Sequence, residues 1–242
     1  MRVEALLFDF DGTLLDSAAG NRDAIAATCR EVGARFPSLD ADRLLEANAE
    51  AWLRYWPEVE QEWALGKIDS ADVSREVWRR ALSACGCDDA AVERAVCETY
   101  FRLRSRSLRL FEEVPDVLRQ LQREHSLALV TNGASETQRQ TLRQLGIEKA
   151  FDAVAISGEL GVAKPNPAIF EAVLRELKVR PERAWHVGDD AVRDVEGARR
   201  AGLTTVWLNR DRSRWSKGEP APDYEITSLS ALAELLAVST IT

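Results

Sequence analysis

Apolar residues along this chain follow two rhythms. From about residue 113 onward, short aliphatic runs alternate with segments whose apolar positions recur every three or four residues. The short runs lie at 127–130, 153–156, 184–187, 204–208 and a brief closing 224–227, and 3–8 is of the same kind. Short apolar runs between turn residues read as buried strands. The stretches between them read as helices, such as 136–145, stopped by Gly146, and 167–177, with Pro167 in its first turn. Strands separated by crossover helices predict a doubly wound parallel sheet of the α/β class.

Residues 17–110 keep only the helical rhythm. Leu44, Leu45, Asn48, Ala51, Trp52, Tyr55 and Trp56 recur at spacings of three and four, which puts them on one helix face. The segment around 81–82 and the one from 92 to 103 behave alike. The pattern therefore predicts an α/β core made of 1–16 and 111–242, interrupted by an α-helical insertion at 17–110. Helical spacing also predicts core packing for most of the insertion's tryptophans, Trp52, Trp56, Trp63 and Trp78.

Composition narrows the function classes. Of 242 residues, 45% are hydrophobic and 30% charged, the balance of a water-soluble globular protein. The net charge is −8 and the arginines are scattered among acidic residues, which argues against nucleic acid as a partner. An anionic substrate must then be attracted by a local cluster of cations. No apolar stretch approaches the roughly 20 residues of a membrane span, and residues 1–5 lack a secretory pattern, so a cytoplasmic location is expected. Cys29, Cys85, Cys87 and Cys97 have neither the spacing nor the histidine partners of a zinc site and read as reduced structural thiols.

In an open parallel sheet, ligands bind beyond the carboxyl ends of the strands. Four strand ends here carry reactive groups: Asp9-Phe10-Asp11-Gly12-Thr13, then Thr131-Asn132-Gly133, then a loop reaching Lys164-Pro165, then Gly188-Asp189-Asp190 with Asp194 beyond. The fold would gather these carboxylates at one edge, an arrangement that requires a cation. An all-oxygen donor set favours magnesium. With a phosphoryl group beside the metal, Asp9 is placed as a carboxylate nucleophile and Asp11 as general acid and base. Lys164 would neutralise the equatorial oxygens, while Thr131 and the amides near Asn132 and Gly133 would hydrogen-bond them. His186, inside an apolar run, reads as a buried strand residue, and His125 as a loop residue.

This four-part pattern resembles the haloacid dehalogenase superfamily of phosphohydrolases. The first motif matches Asp9 to Thr13, the hydroxyl motif Thr131, the lysine motif Lys164 and the acidic motif Asp189-Asp190. The resemblance implies that Asp9, the backbone carbonyl of Asp11 and Asp189 hold magnesium, with Asp190 and Asp194 orienting the metal's water. The insertion is similar to that family's type 1 cap. Thr131-Asn132-Gly133, Lys164-Pro165-Asn166-Pro167 and Gly188-Asp189-Asp190 look most like the branch containing phosphoglycolate phosphatases and N-acylneuraminate-9-phosphatase. Members with dehalogenase activity usually carry Tyr at the position of Asp11, and sugar phosphomutases tend to have Glu-Asp where this chain has Gly188-Asp189. The expected activity is therefore a magnesium-dependent phosphatase acting on a small phosphorylated metabolite through an aspartyl-phosphate, in a monomer or homodimer. A phosphomutase, another hydrolase of the family, with a dehalogenase less expected, and a non-catalytic metabolite-binding regulator are the alternatives. Arg22, Trp63 and Lys67 in the insertion are candidates for the far end of the substrate.

Overall fold

The computed structural model describes residues 2–215 and 221–239. They divide into two compact units, one of residues up to 16, 64–66 and from 110 onward, the other of 17–63 and 67–109. No helix among the described residues is long and apolar enough to cross a membrane.

The first unit is built on a six-stranded sheet. Its strands are β1 (Ala5–Phe8), β2 (Ser126–Thr131), β3 (Ala153–Ile156), β4 (Ala184–Gly188), β5 (Thr204–Leu208) and β6 (Tyr224–Ile226). They lie in the order β3-β2-β1-β4-β5-β6, and every pairing is parallel. β1 is central: Leu6 lies opposite Leu127 of β2 and Trp185 of β4. All four of its residues are completely buried, as a strand covered on both faces requires.

Helices of the second unit are α1 (Ser17–Arg35), α2 (Ala41–Ala64, whose last residue groups with the sheet), α3 (Ser70–Ala84) and α4 (Ala90–Ser107). Those around the sheet are α5 (Val114–Leu121), α6 (Ser135–Gln144), the short α7 (Ser157–Leu160), α8 (Pro167–Leu177), the short α9 (Gly197–Arg200) and α10 (Leu232–Ser239). Asn166 caps α8 by accepting from the Ala168 amide at 3.0 Å, and Pro167 follows, where a missing N–H costs nothing. Ile169, Phe170, Val173 and Leu174 then form one stripe against Ala5, Leu7, Ala128, Val130, Ala153 and Ala155. The small residues on the strands leave room for the helix's larger ones.

In the helical unit, Asp69 and Asp89 cap α3 and α4 by accepting from the amides of Ala71 and Ala91. The core there includes Leu44, Ala51, Val77, Trp78, Leu82, Val96 and Tyr100. Trp78 packs as its spacing predicts, at 1% exposed, but Trp52 and Leu45 are each 38% exposed and Trp56 and Trp63 are half-buried. The difference has a physical reason. Trp52 stacks on Trp56 at 4.8 Å and Trp56 meets Trp63 edge-on at 5.1 Å, so these rings pack on each other along α2 and line a cavity.

Phe170 is completely buried and meets the His186 ring edge-on at 4.9 Å. Its replacement by Ala is expected to cost about 3–5 kcal/mol, measured as a fall in the stability of the sheet unit by chemical denaturation. A loss under about 1 kcal/mol would show that the cluster re-packs around the void.

Candidate active site

The four predicted strand ends meet at the carboxyl edge of β1, β2, β3 and β4. Asp9 follows β1, and its N–H donates to the carbonyl of Val187 on β4 at 2.9 Å. The chain then turns tightly. Leu14 and Leu15 amides return to the carbonyl of Phe10, and Gly12 N–H reaches Leu15 O at 2.9 Å. Gly12 has φ +86°, and a Cβ there would stand 2.8 Å from the Asp189 carboxyl carbon. Glycine is required both for the left-handed backbone and for that approach. Arg210, lying over the Phe111 ring, fastens the same loop by donating to Thr13 O at 3.0 Å and to Glu113 at 2.7 Å.

Lys164 arrives between α7 and α8 and is held by a reciprocal pair: its N–H donates to Asn132 Oδ1 at 2.8 Å, and Asn132 Nδ2 donates to its carbonyl at 3.1 Å. Its buried ammonium then bridges two carboxylates, Asp9 at 2.5 Å and Asp194 at 2.7 Å. His186 Nε2 lies 3.1 Å from the same Asp194 oxygen, and the Asp190 amide donates to its other oxygen at 3.1 Å. A Cβ on Gly188 would collide with this carboxylate, so only glycine ends β4 here.

Carboxylate oxygens of Asp9, Asp189 and Asp194 all lie within 4.8 Å of one another. Burial raises the Asp9 pKa well above the carboxylate range; Lys164 opposes the shift, while the charges of Asp194 and Asp189 add to it. Asp189, whose side chain stays reachable from solvent, is raised to about 7 by the desolvated surroundings and by Asp194. Burial alone would also raise Asp194, but Lys164 and the His186 hydrogen bond hold it below the usual range. Burial likewise disfavours a charged Lys164, yet Asp194 and Asp9 outweigh it and keep the ammonium protonated. The cluster thus carries more negative charge than one ammonium balances. Hard oxygen donors in such surplus fit a divalent cation, and the triad is consistent with a magnesium site.

Thr131, 1% exposed, ends β2 at the same edge. Of the amides expected to donate to a phosphoryl group, Gly133 N–H donates to Ser157 Oγ at 2.8 Å, while the Asn132 side chain supports the Lys164 backbone. Asp190 lies outside the triad; its Oδ1 accepts from the amides of Val192 and Arg193 and caps the turn at Ala191–Glu196. Asp194, expected only to orient water, sits inside the triad. Arg22, Trp63 and Lys67 lie in the helical unit, with Arg22 and Lys67 exposed and Trp63 donating to Ser70 Oγ at 2.9 Å.

Sequence reasoning missed Gln138. Buried on α6, its Nε2 lies 3.3 Å from Asp11 Oδ2, 3.2 Å from Thr131 Oγ1 and 2.9 Å from the Asn132 carbonyl, tying two motifs together. The available signal was its spacing, four residues before the buried Leu142 and so on the inward face. Ser157, completely buried after β3, gave no comparable signal.

A family model described as haloacid dehalogenase-like hydrolase matches residues 3–202. The chain is 34% identical to phosphoserine phosphatase of Thermus thermophilus over 260 residues, covering 97% of this chain and all of that one. It is 29% identical to human N-acylneuraminate-9-phosphatase over 239 residues, covering 97% of this chain and 94% of the other. Among solved structures, the magnesium-bound HAD-hydrolase YfnB of Bacillus subtilis superposes with a TM-score of 0.74 at 28% identity, covering 98% and 99% of the two chains. Proteins named as haloacid dehalogenases are also among those it resembles.

Replacing Lys164 with Met leaves Asp9 and Asp194 buried without their counter-charge, at an expected cost of about 3–5 kcal/mol at pH 8. A carboxyl whose folded pKa exceeds its unfolded value binds extra protons on folding, so the deficit against the unaltered protein should shrink as pH falls toward 5. Denaturant unfolding at both pH values checks this. A deficit that does not change with pH would contradict it.

Proposed function

Because the chain belongs to the haloacid dehalogenase-like hydrolases, we propose that it is a magnesium-dependent phosphatase that hydrolyses a small phosphorylated metabolite through an aspartyl-phosphate on Asp9. The observation that carries this reading is the ion-paired group of Asp9, Lys164 and Asp194 beside Asp189, a constellation charged for a phosphoryl group and a divalent cation together. Several of the similar proteins carry phosphatase names, which agrees with it.

In this reading Asp9, the backbone carbonyl of Asp11, Asp189 and Asp194 would hold the ion, and Asp190 would stiffen the turn that carries Asp194. When bound, magnesium supplies positive charge against the phosphoryl oxygens and lowers the pKa of Asp9, so that the nucleophile is ionised. Asp9 attacks phosphorus while Asp11 gives a proton to the leaving oxygen. Asp11 then takes a proton from the water that breaks the acyl-phosphate bond. Thr131 would donate its hydroxyl to an equatorial oxygen, and Gln138, between Asp11 and Thr131, keeps acid and donor in register. Lys164 stays with Asp9 throughout and balances charge on the transferring group, so that catalysis rests on positioning and electrostatics.

Relatives with dehalogenase names keep a second hydrolytic reading open, attack of the same carboxylate on a carbon bearing halogen. Asp11 favours the phosphatase, because halide needs no proton to leave while an alkoxide does.

Asp9→Asn is expected to lower magnesium-dependent phosphate release from an aryl phosphate by about a thousandfold or more, with the circular dichroism spectrum unchanged. Undiminished turnover in that variant would overturn the reading. Asp11→Asn should lose about a hundred- to ten-thousandfold, and least with aryl leaving groups that depart without a proton. Halide release from a 2-haloacid by the unaltered protein, with no phosphate release from any ester, would assign the chain to the dehalogenases.

A further inference from the structure

His186 is a buried titratable group that takes no part in the phosphoryl chemistry of Asp9 and Asp11. It lies in β4, 1% exposed, with its Nε2 3.1 Å from Asp194 Oδ1. That same oxygen accepts from Lys164 Nζ at 2.7 Å, and the ammonium reaches Asp9 at 2.5 Å. His186, Asp194, Lys164 and Asp9 therefore form one line of hydrogen bonds from β4 to the nucleophile, and all four are buried.

The direction of the first bond follows from charge. Although burial opposes it, Lys164 keeps Asp194 ionised, and an ionised carboxylate only accepts. Nε2 must then carry the hydrogen, and the imidazole donates. Asp194 Oδ1 has two lone pairs, which Lys164 and His186 fill, while Oδ2 accepts from the Asp190 amide. The two donors to Oδ1 differ. Lys164 is shared with Asp9, whereas among the described residues His186 donates to no other carboxylate.

The imidazole is itself held. Phe170 of α8 meets it edge-on at 4.9 Å, and α9 closes behind Phe170 so tightly that a Cβ on Gly197 would stand 3.1 Å from that ring. α8 starts three residues after Lys164, so one packed helix braces both donors to Asp194.

We propose that His186 is a positioning residue for the active edge: by donating to Asp194 it fixes that carboxylate, and with it the ammonium that Lys164 shares between Asp194 and Asp9. Without this donor, Asp194 Oδ1 keeps an empty acceptor site beside Lys164, the ammonium is drawn toward it, and its bond to Asp9 weakens. Asp194 also belongs to the acidic triad, so a loosened carboxylate holds a divalent cation less well. Only the consequence for turnover rests on the phosphatase reading. The others are measured without substrate.

Long-range proton–nitrogen correlation spectra of the isotope-labelled full chain test the donor, since only two histidines, His125 and His186, contribute signals. The signals absent from His186→Gln are expected to come from a ring protonated at Nε2. A ring protonated at Nδ1 alone would overturn the proposal. Calorimetric titration with magnesium tests the positioning. His186→Leu, which keeps a side chain against Phe170 but offers no donor, should bind magnesium about 10–100-fold more weakly. His186→Gln, which can bring an N–H to the same oxygen, should stay within about fivefold of the unaltered protein. With an aryl phosphate, His186→Leu should lower kcat by about 10–100-fold and leave KM within about threefold. Unchanged magnesium affinity in folded His186→Leu, or a loss that His186→Gln shares in full, would each overturn the proposal, the second because packing alone would then account for it. Magnesium binding that follows the expected order in the variants, with no phosphate release from any ester, would support the role of His186 and count against the phosphatase reading alone. If His186→Leu does not fold, the spectrum and the glutamine variant still decide.

Discussion

The buried ammonium of Lys164 between Asp9 and Asp194 is the interaction on which the sheet unit's active edge depends. Two carboxylates, one at the end of β1 and one in the turn after β4, cannot share a dry site without a cation between them. Lys164 is the cation the chain itself provides. The order of the sheet makes this geometry available, since β1 lies between β2 and β4 and brings Asp9 next to the end of β4. The lysine comes from a different crossover, and the two hydrogen bonds between Asn132 and its backbone set where its side chain starts. Asn132 therefore acts on the site by placing Lys164.

One lysine does not neutralise the edge, and the remaining charge gives the site its chemistry. Asp9 and Asp189 have raised pKa values because burial and neighbouring carboxylates disfavour their ions. A second cation would favour the ionised form of such groups, and the acidic triad is consistent with a site for one. The two glycines that permit the crowding are part of the same constraint. A side chain at Gly12 would run into Asp189, and one at Gly188 into Asp194. The same glycines that bring the carboxylates close make the cation necessary.

Much of this was legible in the sequence because the relevant signals are local. The aliphatic runs marked the strands, with ends differing by a residue or two from those observed, and the helix at 167–177 announced itself by Asn166-Pro167 and its apolar stripe. Asp9, Thr131 and Asp189 could be expected at one edge because each directly follows or ends a strand, and Lys164 because it lies in the loop beyond β3. What stayed hidden depends on direction within the fold. Nothing in the chain distinguishes Asp190, which caps its own turn, from Asp194, which enters the triad four residues later. That the Asn132 side chain binds the Lys164 backbone and the Gly133 amide binds Ser157 could not be read from the chain, because these partners are distant in sequence. Gln138 was overlooked because an amide on an amphipathic helix ordinarily faces water.

The tryptophans of the insertion show the limit of periodicity most clearly. Trp52, Trp56 and Trp63 recur at helical spacing, and so does Trp78, yet only Trp78 is sealed in the core. Spacing fixes which side of a helix a residue occupies and says nothing about whether the opposing helices close on it. Closure depends on volumes contributed by α1 and α3, where Ala18, Ala26, Ser70 and Ser74 are too small to fill the space that the large rings of α2 leave open. The catalytic edge is specified by charges that must balance, so its residues are few and recognisable. The cavity is specified by shape, in which many residues each contribute a little.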